Sequence, residues 1–258
     1  MTLDNQQTHR IAEILRFSVK NKLKNYSPEP NSMPFHSRLL GSDRLALYSF
    51  IHSLSTNFGT TIFEPIGIEL GQVRFRNVQK QSSAGKVISA GAQNVIQQIM
   101  NDLTTSTKDP NKAVEIERLR SVAQLGDMVP VKLTKVDLML ESHDGTFYLF
   151  DLKTAKPNAG DFKGFKRTLL EWTAAILAEK PDAHIQTAIA IPYNPYAPNP
   201  YERWTIRGML DLTSELVVAE RFWDFVGGEG TYEALLDIFE AVGIELRPEI
   251  DDRFSKFR

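Results

Sequence analysis

Residues 146–156 read TFYLFDLKTAK. The run of large apolar and aromatic residues predicts a β-strand, and at its far end Asp151 and Lys153 stand two apart, hence on one face. A half-buried carboxylate beside an ammonium costs free energy unless something offsets it. Two readings follow: a plain salt bridge at a strand end, or a site that holds a metal ion and a phosphate.

The preceding run, VKLTKVDLML at 131–140, is also strand-like, and SHDGT at 142–146 lies between the two. If His143, Asp144 and Gly145 form a three-residue loop with Gly145 left-handed, Ser142 pairs with Thr146. Val136, Leu138 and Leu140 then face Leu152, Phe150 and Tyr148 as an apolar layer. Asp137 falls opposite Asp151 on the other face, with Lys153 the next residue along. A two-residue loop would instead bury the Asp137 carboxylate among aliphatic side chains, so hydrophobic patterning selects the first register. Cross-strand Cβ atoms lie roughly 5 Å apart. Carboxylates that close repel each other unless a cation bridges them. Mg²⁺ suits such a pair, because it takes one or two carboxylates and fills its remaining positions with water and phosphate. Lys153 is placed to hold a scissile phosphate or to help deprotonate water, which points to metal-assisted phosphodiester hydrolysis.

Composition agrees with a soluble globular chain. Of 258 residues, 42% are hydrophobic and 24% charged, enough for a substantial core. No run approaches the length of a membrane span, and MTLDNQQTHR lacks the apolar centre of a signal peptide, so a cytoplasmic protein with no membrane partner is expected. The absence of cysteine excludes disulfides, thiolate metal sites and a cysteine nucleophile. Five scattered histidines have no zinc-site spacing. Net charge is −2, but unevenly spread. Residues 153–167 hold five bases (Lys153, Lys156, Lys163, Lys166, Arg167) against Asp161. Residues 72–86 hold four (Arg74, Arg76, Lys80, Lys86) and no acid, while the tail from Glu229 has eight acids against four bases. Local basic faces on an acidic chain suit a protein that grips a polyanion in one groove, although each cluster alone also reads as a solvated face.

Along the first half, helical spacing dominates. Residues 1–25 carry Ile11, Ile14, Leu15, Val19 and Leu23 on one side. NYSPEPNSMPF is a Pro-rich connector, and a helix from Ser42 is expected to close at Gly59. Further helices are predicted to begin near Ser89 and around Pro110. After Gly126 the period changes: two strands, the helix DFKGFKRTLLEWTAAILAEK, then the strand HIQTAIAIPY. MLDLTSELVVAERFWDFVGG and TYEALLDIFEAVG read as helix again. The expected fold is α/β, a mixed central sheet flanked by helices. Its mostly helical N-terminal region, 1–125, would pack on a core of 126–258 within one compact domain.

Asp137, a hairpin, DLK at 151–153, a helix and a further strand together resemble the PD-(D/E)XK nuclease core. The one other lysine with an acid two before it is in DFK at 161–163, where Asp161 reads as a helix cap. MPFHSRLLGSDRLALYSFIHSLSTNFGTTIFEPIG at 33–67, FDLKTAKPN at 150–158 and RFWDFVGG at 221–228 resemble the TdeIII group of type II restriction endonucleases. Val136 stands where the motif has its proline. The resemblance implies a Mg²⁺-dependent enzyme that cuts double-stranded DNA at specific sequences and leaves 5′-phosphates. Asp137, Asp151 and the Leu152 carbonyl would bind the metal, and Lys153 would position or activate water. It also implies a symmetric homodimer, a short GC-rich site such as GGNCC, and a cognate DNA methyltransferase. A structure-specific repair or recombination nuclease of the same fold is the alternative enzyme. A DNA-binding module with structural acids is the alternative without catalysis.

Glu64, in IFEPIG, reads either as a further carboxylate for the metal or as a surface acid before a proline. Glu171, on the crossover helix, faces either the site or the solvent, and reads best as a solvent-facing acid or one in a helix salt bridge; His36 and His52 read as packing or polar-network histidines rather than bases. Lys156, Lys163, Lys166 and Arg167 are expected to contact DNA. Asn194, Arg203 and Arg207, in the Tyr- and Pro-rich stretch after the third strand, are expected to reach bases. RFWDFVGG reads as a packing helix or a dimer contact.

Overall fold

The hairpin forms in the register its patterning selects. β4 (Val136–Glu141) pairs antiparallel with β5 (Phe147–Leu152), with Leu138 opposite Phe150 and Leu140 opposite Tyr148. Gly145 takes φ +84°, and Ser142 N–H donates to Thr146 O at 3.0 Å, closing the three-residue loop. The molecule is a computed structural model that describes residues 3–26, 33–153, 156–157, 161–202 and 208–255. The connector at 27–32, Arg203 and Arg207 lie outside these.

Beyond β5, α7 (Phe162–Glu179) crosses over to β6 (Ile185–Ile191), which pairs parallel to β5. A parallel pair requires such a crossover. Two further strands complete a mixed sheet in the order β1-β4-β5-β6-β7, where β1 is Asn77–Ser82 and β7 is Leu216–Val218. β2 (Val87–Ser89) and β3 (Met128–Pro130) form a separate small ladder. β5 is buried along nearly its whole length because helices cover both faces of the sheet. On one face Leu149 and Ile189 meet Leu169 and Trp172 of α7, with α5 (Ala90–Thr104) outside it. On the other, Leu138, Leu140 and Phe150 meet α4 (Glu64–Arg74), α8 (Glu220–Gly227) and α9 (Thr231–Ser255). α4 comes unusually close to the sheet: a Cβ on Gly67 would lie 2.9 Å from Leu138 Cδ2, and one on Gly71 3.1 Å from Leu140 Cδ2. That approach fixes the height of Glu64, the first residue of α4.

The remaining N-terminal helices sit around this core. α1 (Asn5–Asn25) starts at a capping box in which Asp4 accepts from Gln7 N–H, and it packs along α9. α2 (Pro34–Leu40) and α3 (Ser42–Phe58) follow, and α6 (Lys112–Arg120) packs against α7. Among the described residues no helix is long and apolar enough to cross a membrane.

Several expectations need correction. Gly59 does not close α3; it stays right-handed, and the chain runs through a π-helical turn, Gly59–Phe63, directly into α4. Leu216–Val218, expected within a helix, is a strand, because its β-branched residues complete the sheet beside β6. β1 was not expected at all, since NVQKQS offers a single apolar side chain and no alternation. Val136 packs in the layer of Leu149 and not with Leu138 and Leu140. The cause is local: the Asp137 carboxylate, rather than the β4 backbone, takes the Leu152 N–H at 2.8 Å, so the two strands part there.

Candidate active site

Where β4 and β5 part, their polar residues converge. Asp151 is buried at 3% exposure on β5, and its Oδ1 lies 2.5 Å from Lys153 Nζ. The two side chains therefore share a face, as their spacing predicts. Lys153 also sits over the Phe165 ring of α7, 4.9 Å from its centroid, which holds the ammonium at the mouth. Asp137, half-buried on β4, comes within interaction range of both Asp151 and Glu64. Glu64, read from sequence as either a site carboxylate or a surface acid, is 2% exposed and belongs to this group.

The electrostatics follow from burial. The Asp151 carboxyl is lifted to about 6 by desolvation first, with Lys153 opposing the rise and Asp137 adding to it. Burial likewise raises Glu64, with Asp137 adding to the effect and a bond from Gln81 and the charge of Lys80 opposing it. Gln81 of β1 was missed in the sequence. Its Nε2 donates to Glu64 Oε1 and to Asp137 Oδ1, each at 2.9 Å. Its backbone is left-handed, φ +51°, which is rare for a residue with a side chain. The β1–β4 register would have placed it opposite Asp137, but only once β1 is recognised as a strand.

The donor set fits a hard cation. It consists of carboxylate oxygens, and the Leu152 carbonyl lies on the same side of its strand as the N–H that meets Asp137. Among the described residues no three His, Asp or Glu side chains form a ready-made metal cage. Mg²⁺ needs only one or two carboxylates, which Asp137 and Asp151 would supply beside the Leu152 carbonyl.

The basic residues divide. Lys156 and Lys163 are exposed, and Lys156 lies over the Tyr196 ring at 5.1 Å. Arg167 is half-buried, with Nη2 bonded to Gln97 at 2.8 Å and Nη1 3.9 Å from Glu171, which is thus in a helix salt bridge. Lys166 is a correction: it is fully buried, its Nζ 2.5 Å from Glu115 and 2.6 Å from Glu215, and it cannot touch DNA in this conformation. Lys112, also buried, meets Glu215 at 3.0 Å and the Thr187 hydroxyl at 2.5 Å. These two lysines and two glutamates balance in charge and tie α6, α7 and the segment before β7 together. Asn194 is engaged at both ends within its own loop: Nδ2 donates to Asn199 O at 2.8 Å and Oδ1 accepts from Tyr196 N–H at 2.9 Å. Asp161 occupies the cap position of α7 but makes no capping bond.

Residues 3–243 match the family described as "Type II restriction endonuclease, HinfI". The type II restriction enzyme HgiCII of Herpetosiphon aurantiacus is 28% identical over 90% of this chain and 85% of its own length. HgiEI of the same organism is 26% identical over 91% and 86%. MjaII of Methanocaldococcus jannaschii is 28% identical over 82% of this chain and 58% of its own length.

Proposed function

The chain belongs to the HinfI family of type II restriction endonucleases, and from this premise we propose that the mouth of the β4–β5 hairpin is its active site. It is a site-specific deoxyribonuclease, and we read it as one of the PD-(D/E)XK kind. The observation that carries the assignment is the buried Asp151, paired with Lys153 and facing Asp137 where the two strands separate.

In this reading Asp137, Asp151 and the Leu152 carbonyl hold Mg²⁺, with Glu64 as a further carboxylate nearby. When bound, the ion supplies Lewis-acid stabilisation of the charge that builds on the scissile phosphate. Lys153, held between Asp151 and the Phe165 ring, orients the scissile phosphate or positions the attacking water. In-line attack leaves a 5′-phosphate. Lys156, Lys163 and Arg167 contact the DNA backbone, Arg203 and Arg207 contact bases, and Asn194 does so only on giving up its loop bonds. The N-terminal region of residues 1–125 adds to the DNA-binding surface. The enzyme acts as a symmetric homodimer, since two-fold protein symmetry mirrors two-fold site symmetry. A methyltransferase of the same specificity protects the host, and the protein works in the cytoplasm. The likeness to the TdeIII group makes GGNCC the first sequence to test.

Purified protein is incubated with unmethylated phage DNA in Mg²⁺ and in EDTA, beside Asp151→Ala. Discrete fragments from the wild type in Mg²⁺ alone are expected, and sequencing their ends gives the site and the terminal phosphate. Cleavage undiminished in Asp151→Ala, or intact DNA under every divalent ion, sinks the assignment.

A further inference from the structure

Among the described residues Gln81 is the one uncharged side chain that bridges two of the site's carboxylates, and nothing in the proposed mechanism uses it. We propose that Gln81 is a positioning residue for the metal ion, aiming Glu64 and Asp137 at one point before the ion arrives. The inference rests on the reading of this mouth as a metal site.

Glu64 comes from α4 on one face of the sheet and Asp137 from β4, so no shared element fixes their separation. Their like charges drive them apart. The Gln81 carboxamide counters this with two N–H donors on one nitrogen, one for each acid, both at 2.9 Å. A lysine at this position would bring a positive charge that competes with the ion; the amide is neutral and does not. The bonds also leave room for coordination. Asp137 Oδ1 accepts from Gln81 and Oδ2 from Leu152 N–H, and each carboxylate oxygen keeps a second lone pair. Partners that orient metal ligands in this way typically matter by about 10–100-fold in affinity.

The backbone supplies an independent sign. Gln81 sits at the end of edge strand β1 with φ +51°, a conformation that suits glycine better than any residue with a Cβ. Such outliers persist where surrounding interactions over-determine them, and they gather at functional sites. Here the two bonds to Glu64 and Asp137 do the determining. The same outlier separates a structural role from a functional one. Glycine relieves the backbone while removing the amide, so fold stability and metal affinity should move in opposite directions.

The test is Mn²⁺ binding to the full chain without DNA, read from loss of the free-ion EPR signal, together with thermal melting in EDTA. Gln81→Gly is expected to melt no lower than wild type and to bind Mn²⁺ about 10–100-fold more weakly. Gln81→Asn, which tolerates the left-handed backbone but is one methylene too short to span both acids, is expected to weaken binding similarly and serves if the glycine variant does not fold. Wild-type or tighter affinity in the folded variant overturns the positioning role while Asp151→Ala still loses the ion. Equal binding by wild type and Asp151→Ala overturns the metal site itself, and the role of Gln81 with it.

Discussion

Asp151 carries a cost in the metal-free protein. Its carboxyl is lifted from 3.8 to about 6 chiefly by burial, so between those values the folded chain holds a proton that the unfolded chain has released. The stabilising contribution is therefore fully present below about 3.8 and is lost as pH rises through about 6. Two pKa units amount to about 3 kcal/mol at most. Urea unfolding in EDTA should show wild-type stability falling relative to Asp151→Asn between about pH 4 and pH 7, by up to ~3 kcal/mol. A constant difference across that range would contradict the burial account. At neutral pH Asp151→Asn should thus melt no lower than wild type while cutting nothing, the trade between stability and function expected of a site built from destabilising charge. Asp137, Asp151 and Lys153 were legible in the sequence because a two-residue period and a three-residue turn fix which side chains share a face. Gln81 was not, because its place depends on pairing with a strand some 55 positions away in the chain, and its own segment is too polar to announce itself as a strand.

At the scale of elements, the buried charges on α6 and α7 show what local patterning misses. A 3.6-residue period correctly places Phe162, Leu169, Trp172 and Ile176 of α7 in the core. The same period gives no reason to bury Lys166. Its partners, Glu115 and Glu215, come from positions 51 before and 49 after it in the chain, and only the folded arrangement of α6, α7 and the approach to β7 brings them together. Burial raises Glu115 despite Lys166 beside it; Glu215 is also buried, yet the two lysines hold it below its ordinary range. Removing one member leaves an uncompensated charge in the interior. Lys166→Met should therefore destabilise by about 3–5 kcal/mol, on the order of 10 °C in melting temperature. Below its melting point it should bind DNA as wild type does, because the ammonium is not at the surface. A melting temperature unchanged from wild type would show that the cluster is solvated; a loss of DNA affinity by a folded Lys166→Met would return Lys166 to the DNA surface. The other misreadings at this scale have a similar origin. Gly59 reads as a helix stop on residue type, but the helix continues through a π turn, a distortion that local sequence does not announce and that recurs near functional sites.

For the whole molecule, the sheet unites two basic stretches that lie far apart in the chain. Lys80 on β1 and Lys153 just past β5 flank Asp137, because β4 runs between these two strands, whereas Arg76 lies at the other end of β4 beside Glu141. Lys80 already acts on Glu64 and Lys153 on Asp151. The acidic tail lies elsewhere: on α9, Glu245 and Glu249 pair with Arg16 and Lys20 of α1. A chain of net charge −2 thus sets Lys80 and Lys153 beside the site's carboxylates, while two acids of the tail are paired with α1. Such focusing attracts a polyanion to the site whatever its sequence, and each phosphate neutralised adds about 0.9 to the slope of log affinity against log salt. Duplex binding followed by fluorescence anisotropy in EDTA should weaken steeply with NaCl. Replacing the exposed Lys80, Lys156 and Lys163 together by alanine should flatten that slope by roughly 2 to 3, with similar losses on cognate and non-cognate duplexes. Lys20→Ala, on the far pairing with Glu249, should leave it unchanged. If instead the triple variant keeps the wild-type slope, the DNA does not enter between these two stretches, and the groove must be sought on another face.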